Sequence, residues 1–319
     1  MSEPLFMNPV LQPKIWGGTK LRDIYHYDIP SKHTGECWAI SAHPDGVATI
    51  KNGEYADIGL DVLFQTHPEL FGNPSVPVFP LLTKIIDATD DLSVQVHPDD
   101  TYAFEHEGEQ GKTECWYVID ADEGAEIVYG HHAKSKEEFA DLIKKGEWDT
   151  LLRSIKVKAG DFFFVPSGTI HAIGAGIMIL ETQQSSNTTY RLYDYDRIDD
   201  KGKQRELHIQ QTLDVSTIPH VDPKNEGHTQ EIHDNKITTY IQSDYFNVYL
   251  WDIHSTLDFD KAAPYVLVSV LEGDGKLTVD GRDYPLTKGR HFILPATVES
   301  WSITGNLTCM ASTPGPKNT

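Results

Sequence analysis

Four side chains at three places in this sequence could share one metal ion. Gln95 and His97 stand in Ser93-Val94-Gln95-Val96-His97-Pro98, and Glu114 stands in Lys112-Thr113-Glu114-Cys115-Trp116-Tyr117. His171 closes a run that opens at Gly160-Asp161 and passes through Phe162-Phe163-Phe164-Val165-Pro166. Each place reads as β-strand. Gln95 and His97 are two apart, so on a strand both side chains leave the same face. Two imidazoles, a carboxylate and an amide oxygen suit a borderline divalent cation, zinc above all. Three strong ligands leave positions open for water or substrate, which marks a working site more than a structural one. Gln95 is the weakest of the four, because it could serve only as a hydrogen-bond partner of His97. The other histidines, among them His131, His132, His254 and His291, lack a partner motif and are expected to be packing residues. Lys112 lies two before Glu114 and should share its face. Arg191 follows a Ser/Thr/Asn-rich stretch and carries the planar fork that suits phosphate. Taken alone, both read as solvated surface charges, and Arg197 and Lys14 keep that reading more firmly.

The elements that would position these groups are mostly strands. Short β-branched and aromatic runs alternate with Gly, Pro, Asn and Asp, the pattern of a sandwich or barrel. Two helical stretches are expected. One spans about 60–71 (Leu60, Leu63, Phe64, Leu70, Phe71) and stops at Gly72 and Pro74. The other spans 136–152, with Ser135 and Glu138 as a capping box, a stripe of Phe139, Leu142, Ile143 and Leu151, and a break at Gly146. An internal repeat is visible. Val157 to Pro166 matches Leu286 to Pro295, each with its glycine six residues before the proline. His171 follows the first glycine by eleven residues and Ser300 follows the second by eleven. Where the first copy offers paired strand ligands, the second offers Val266 and Val268. The expectation is one architecture used twice, with ligands kept in the first copy only.

The run from Gly160 to His171, with Gly168 inside it, resembles the cupin signature. The long excursion between His97 and Glu114 departs from the common cupin pattern. Together with Lys112, the segment Gln184 to Arg191, the opening Lys14-Ile15-Trp16-Gly17-Gly18 and Gly35-Glu36-Cys37-Trp38, it resembles the short bacterial form of the type I mannose-6-phosphate isomerases. The resemblance implies a mainly β protein of two cupin (jelly-roll) domains with a small helical element. It places a catalytic N-terminal cupin at 1–220 and a ligand-less C-terminal cupin at 221–319. It implies a zinc-dependent aldose–ketose isomerisation of mannose 6-phosphate and fructose 6-phosphate through an enediol. The metal would be held by His97, Glu114, His171 and Gln95, and sugar phosphate would be contacted by Arg191, Lys112 and Trp16. Arg191, Lys112 and Glu181 are the implied catalytic groups. Glu181, between Ile179-Leu180 and Thr182-Gln183, is the candidate acid/base, since burial among apolar neighbours raises a carboxyl pKa toward neutrality. Lys112 is the rival base. Two departures from longer relatives stand out: Gly111 takes the place of a histidine proposed to open the sugar ring, and Asn187 the place of an aspartate. Two other readings explain less. A metal-cupin dioxygenase does not call for Lys112 or Arg191, and a sugar-phosphate-binding cupin without turnover does not call for Glu181.

Bulk composition narrows the partners. The 319 residues hold 27 Lys plus Arg against 48 Asp plus Glu, a formal charge of −21. Such a surface repels nucleic acid and anionic lipid, so neither partner is expected. Cys37, Cys115 and Cys309 form no disulfide framework, which fits a reducing compartment. No apolar run reaches the ~18 residues of a membrane span. The N-terminus lacks the pattern of a signal peptide. A soluble cytoplasmic protein is expected, of undetermined oligomeric state.

Overall fold

The computed structural model describes residues 3–198, 202–224 and 227–319. Its strands form three antiparallel sheets. Six strands build the first, in the order Phe162–Val165, Glu114–Ala121, Ile177–Gln184, Leu81–Ala88, Val10–Gly18 and Thr34–Ile40. Five short strands build the second: Tyr190–Tyr193, Val94–Val96, His171–Ile173, Glu126–His131 and Leu152–Lys156. The third has ten strands drawn mainly from residues 228–314. The mainly β, two-cupin architecture read from the sequence is therefore the fold.

The six-stranded sheet is buried on both faces. On one side Cys37, Ile85, Cys115, Met178 and Leu180 join Leu267, Ile293 and Met310 of the ten-stranded sheet in a continuous apolar cluster. On the other, Trp16, Ile86, Trp116, Val118 and Ile179 face the five-stranded sheet and its Ile127, Tyr129 and Ile173. This double burial explains why Leu81–Ala88 and Ile177–Gln184 show no polar alternation. The second repeat closes on itself. Val266 and Val268, at the positions of the missing ligands, pack with Phe292, Trp251 and Trp301. Gly160 and Gly289 both adopt positive φ, 90° and 82°, so the repeat extends to backbone conformation.

One connection crosses the halves. Leu5–Asn8 pairs with His291–Leu294, Phe6 opposite Phe292, and also with Thr49–Ile50. The beginning of the chain is thereby a strand of the ten-stranded sheet.

Both expected helical stretches form. Leu60–Thr66 is followed by a 3₁₀ turn, Pro68–Phe71. Lys136–Lys145 ends at Gly146 in the left-handed region, and Trp148–Leu151 resumes. Ser135 caps the Glu138 N–H at 3.2 Å, whereas the Glu138 carboxylate reaches the Lys134 N–H at 2.6 Å instead of its expected partner. The helices pack Phe139, Leu142 and Leu151 onto the outer face of the five-stranded sheet. Asp100–His106 and Ile209–Val215 are helices the sequence pattern did not announce.

Candidate active site

The four candidate ligands converge between the two sheets of the first half. His171 and Arg191 both stand opposite Gln95 in the five-stranded sheet, and Glu114 stands opposite Gln183 in the six-stranded one. His97 Nδ1 donates to the Thr188 carbonyl and His171 Nδ1 to the Thr169 carbonyl, each at 2.8 Å. A carbonyl only accepts, so both rings carry their proton on Nδ1 and turn the Nε2 lone pair inward. His97 Nε2 lies 3.4 Å from Glu114 Oε2, and His171 Nε2 lies 3.5 Å from Glu114 Oε1. Lone pairs therefore face lone pairs, an arrangement that repels unless a cation sits among them. Burial, reinforced by Lys112, pushes the His97 pKa down to about 3, and burial also lowers that of His171, so the rings do not supply that cation. His97 Nε2 and Glu114 Oε2 are buried with no hydrogen-bond partner. Ligand atoms of His97, Glu114 and His171 all lie within 4.8 Å of one another. The Gln95 amide ends 3.4 Å from His171 Nε2. A half turn of that amide exchanges its nitrogen for its oxygen. The donor set fits a divalent cation such as zinc.

Gln95 opens onto a cavity of about 310 Å³. Its lining includes one group of charges, Lys14, Glu36, Lys84, Lys112 and Glu181, and a second polar group around Ser93, Arg191 and Arg205, with Asn187, Thr189 and Trp16 also on its walls. Strand register creates the first group, with Lys84 paired to Glu181 on one side and Trp38 on the other. Lys84 Nζ is 3.8 Å from Glu181 Oε2 and 4.0 Å from Glu36 Oε2, and Lys14 Nζ is 3.2 Å from Glu36. The Trp116 indole N–H stands 3.0 Å from Glu114 Oε1 and 3.1 Å from Glu181 Oε1, bridging the two carboxylates. Burial and then the Glu114 charge push the Glu181 carboxyl up to about 7. Burial disfavours the charge on Glu114 too, but Lys112 at 3.4 Å outweighs it and holds that carboxyl well below the ordinary range. Burial likewise opposes the Lys112 charge, yet Glu114, Glu181 and Glu36 raise its pKa. In the second group, Arg191 donates to Ser93 Oγ at 3.3 Å and to the Glu206 carbonyl at 2.9 Å. Arg205 grips buried Asp194 with Nε at 2.8 Å and Nη2 at 2.5 Å, and Arg197 holds the same carboxylate. A larger cavity, about 810 Å³, has walls at Val76, Val78, Phe104 and Tyr245 and touches none of the cluster.

All the site residues named from sequence are brought together here. His131, His254 and His291 stay outside, bonded to the Thr217 carbonyl, to Asn306 and to Ser269 respectively. Lys14, expected to be a surface charge, lines the cavity, while Arg197 supports Asp194. Lys84, Glu36 and Arg205 were missed. Lys84 had a signal, a single charge inside Leu81-Leu82-Thr83-Lys84-Ile85-Ile86. Arg205 had none, being a loop residue. The two departures also have local causes. A Cβ on Gly111 would lie 2.5 Å from the Asp99 and Asp100 backbone, so no histidine fits there. Asn187 donates to Asp45 Oδ2 at 2.7 Å.

Comparison with known proteins agrees. Residues 5–148 match the model of the type I phosphomannose isomerase catalytic domain, and residues 236–314 match that of the mannose-6-phosphate isomerase cupin domain. A curated mannose-6-phosphate isomerase of Streptococcus mutans is 58% identical, with 98% of each chain covered. The chain belongs to the type I mannose-6-phosphate isomerases. Membership of that family makes it an isomerase acting on a sugar phosphate. The crystal structure of the Bacillus subtilis mannose 6-phosphate isomerase superposes with a TM-score of 0.96 at 50% identity, covering 98% of this chain and 99% of that one. A putative mannosephosphate isomerase from Archaeoglobus fulgidus, 20% identical, shares the fold with a TM-score of 0.77 over 99% of both chains. No helix among the described residues is long and apolar enough to cross a membrane.

Proposed function

We propose that the chain interconverts D-mannose 6-phosphate and D-fructose 6-phosphate through an enediol, in the cavity above, with zinc held by His97, Glu114, His171 and Gln95. Zinc bound there supplies a Lewis acid for the negative charge that develops on sugar oxygen. Glu181 moves the proton between C1 and C2. A carboxyl held near neutrality can take that proton and return it. Lys112 keeps its charge beside Glu114, so it orients a sugar hydroxyl instead of acting as base. Arg191 and Arg205 receive the phosphate. Asp194 fixes one edge of Arg205, while Ser93 and the Glu206 carbonyl hold Arg191 through Nε and Nη1, which leaves Arg191 Nη2 and the far end of Arg205 for a dianion, a local basic patch on a chain of charge −21. Trp16 walls the sugar and helps exclude water. Residues 1–220 carry the chemistry and 221–319 brace it. The buried free thiols Cys37, Cys115 and Cys309 suit the reducing cytoplasm.

The observation that carries this reading is the meeting of lone pairs at His97, His171 and Glu114 beside a buried carboxyl and an arginine pair in one cavity. The test is turnover of mannose 6-phosphate by purified protein before chelation, after it, and after zinc is restored. Activity that vanishes and returns with zinc is expected. Full turnover by thoroughly chelated protein would sink the metal assignment, and zinc binding without turnover would sink the substrate.

A further inference from the structure

We propose that Glu109, oriented by His43, is a positioning residue for the metal ligand His97, acting through the turn that carries Ser186 and Thr188. This rests on the metal reading above. The two histidine ligands are anchored differently. His171 donates to Thr169, two residues away on its own approach to the strand. His97 donates to Thr188, 91 positions along the chain, in a loop between Ile177–Gln184 and Tyr190–Tyr193. No sheet ladder runs through that loop; the Ser185 N–H on the Pro80 carbonyl and the Gln183 amide on the Ser186 carbonyl hold its start, and side chains hold Thr188.

Glu109 is the hub of those side chains. Its Oε1 accepts from Ser186 Oγ at 3.0 Å and from Thr188 Oγ1 as well. Ser186 Oγ in turn accepts the Thr188 N–H at 3.2 Å. Thr188 is thereby held at its amide and its hydroxyl while its carbonyl faces His97. The other carboxylate oxygen of Glu109 meets His43 Nε2 at 3.4 Å. His43 Nδ1 accepts the Asp45 N–H at 3.1 Å, so its proton is on Nε2 and points at Glu109. Asp45 closes the circuit by accepting from Asn187, the residue between Ser186 and Thr188. Ser186 is fully buried and His43 nearly so. The turn His43-Pro44-Asp45-Gly46 thus grips the loop directly through Asp45 and indirectly through His43 and Glu109, and the loop sets the tautomer and tilt of one ligand. Groups of this kind, behind a metal ligand, typically shift metal affinity by about 10–100-fold when removed.

The experiment is a zinc affinity measurement by chelator competition on wild type, Glu109→Ala, Thr188→Val and the double variant. It is paired with the visible spectrum of the cobalt-loaded proteins and the melting temperature of the metal-free ones. Thr188→Val removes the hydroxyl with little change of shape, so it carries the test if Glu109→Ala fails to fold. Expected are a weakening of about 10–100-fold, an altered cobalt spectrum, little change in the metal-free melt, and a double variant no worse than Glu109→Ala. Wild-type affinity and spectrum in both single variants, or additive losses, would overturn the assignment while leaving the metal site standing. A wild-type protein that binds no zinc would overturn the metal reading and this inference with it.

Discussion

Two substitutions separate the roles given to single side chains. Glu181→Gln keeps the Trp116 contact but cannot take a proton. Turnover should fall by about 10²–10⁴-fold with zinc content unchanged by metal analysis; a normal rate would return the proton transfer to Lys112. Arg191→Lys keeps a charge but loses the fork. It should raise the KM for mannose 6-phosphate more than it lowers kcat, and full activity would exclude a phosphate role. His97, Glu114, His171 and Arg191 were legible because each stands in a motif whose neighbours repeat the family pattern. Lys84 and Glu36 were not. A charge inside an apolar strand reads the same whether it faces solvent or a cavity until both faces of the sheet are known to be covered. Nothing near Arg205 in sequence distinguishes it from other loop arginines, since its place depends on Asp194.

At the level of strands, the second copy of the repeat buries a histidine, His291, where the first has Phe162, and satisfies it wholly within the protein. In the second copy His291 donates to Tyr27 Oη at 2.7 Å and accepts from Ser269 Oγ at 2.8 Å, Tyr27 itself donating to the Gly289 carbonyl. The ring is neutral and fully satisfied. Burial pushes its pKa from an ordinary 6.5 down to about 3. Above pH 6.5 it is neutral folded or unfolded. As pH falls below that, only the unfolded ring takes up a proton, so its contribution is lost by roughly 1.4 kcal/mol per pH unit until about pH 3. Urea melts between pH 7 and 4 should therefore show a shallower loss of stability for His291→Asn than for wild type; parallel curves would disprove it. The repeat itself was readable because its turns need glycine and proline at fixed places. The helices Asp100–His106 and Ile209–Val215 were not, because each buries a single residue, Ala103 and Thr212, and so writes no apolar stripe.

Across the whole molecule, the two halves share one core, and the strand Leu5–Asn8 belongs to the sheet of the second. Phe6 is 7% exposed and packs on Phe292 with ring centroids 5.4 Å apart. Phe6→Ala should cost about 3–5 kcal/mol, read by urea denaturation, although it lies near the end of the chain; a cost below 1 kcal/mol would mean that this strand is expendable. The sequence shows two cupins in tandem but hides this crossing, since pairing partners at opposite ends of a chain leave no local trace. The crossing also orders events during synthesis. The strand Leu5–Asn8 is made long before its partner His291–Leu294. At roughly 5–20 residues per second, Leu5 and Phe6 wait tens of seconds for Ile293 and Phe292 to emerge, whereas Met7 can meet Ile50 early. Through that interval the nascent chain carries an apolar strand with one edge unfilled, a template for pairing with other chains that the finished sheet removes.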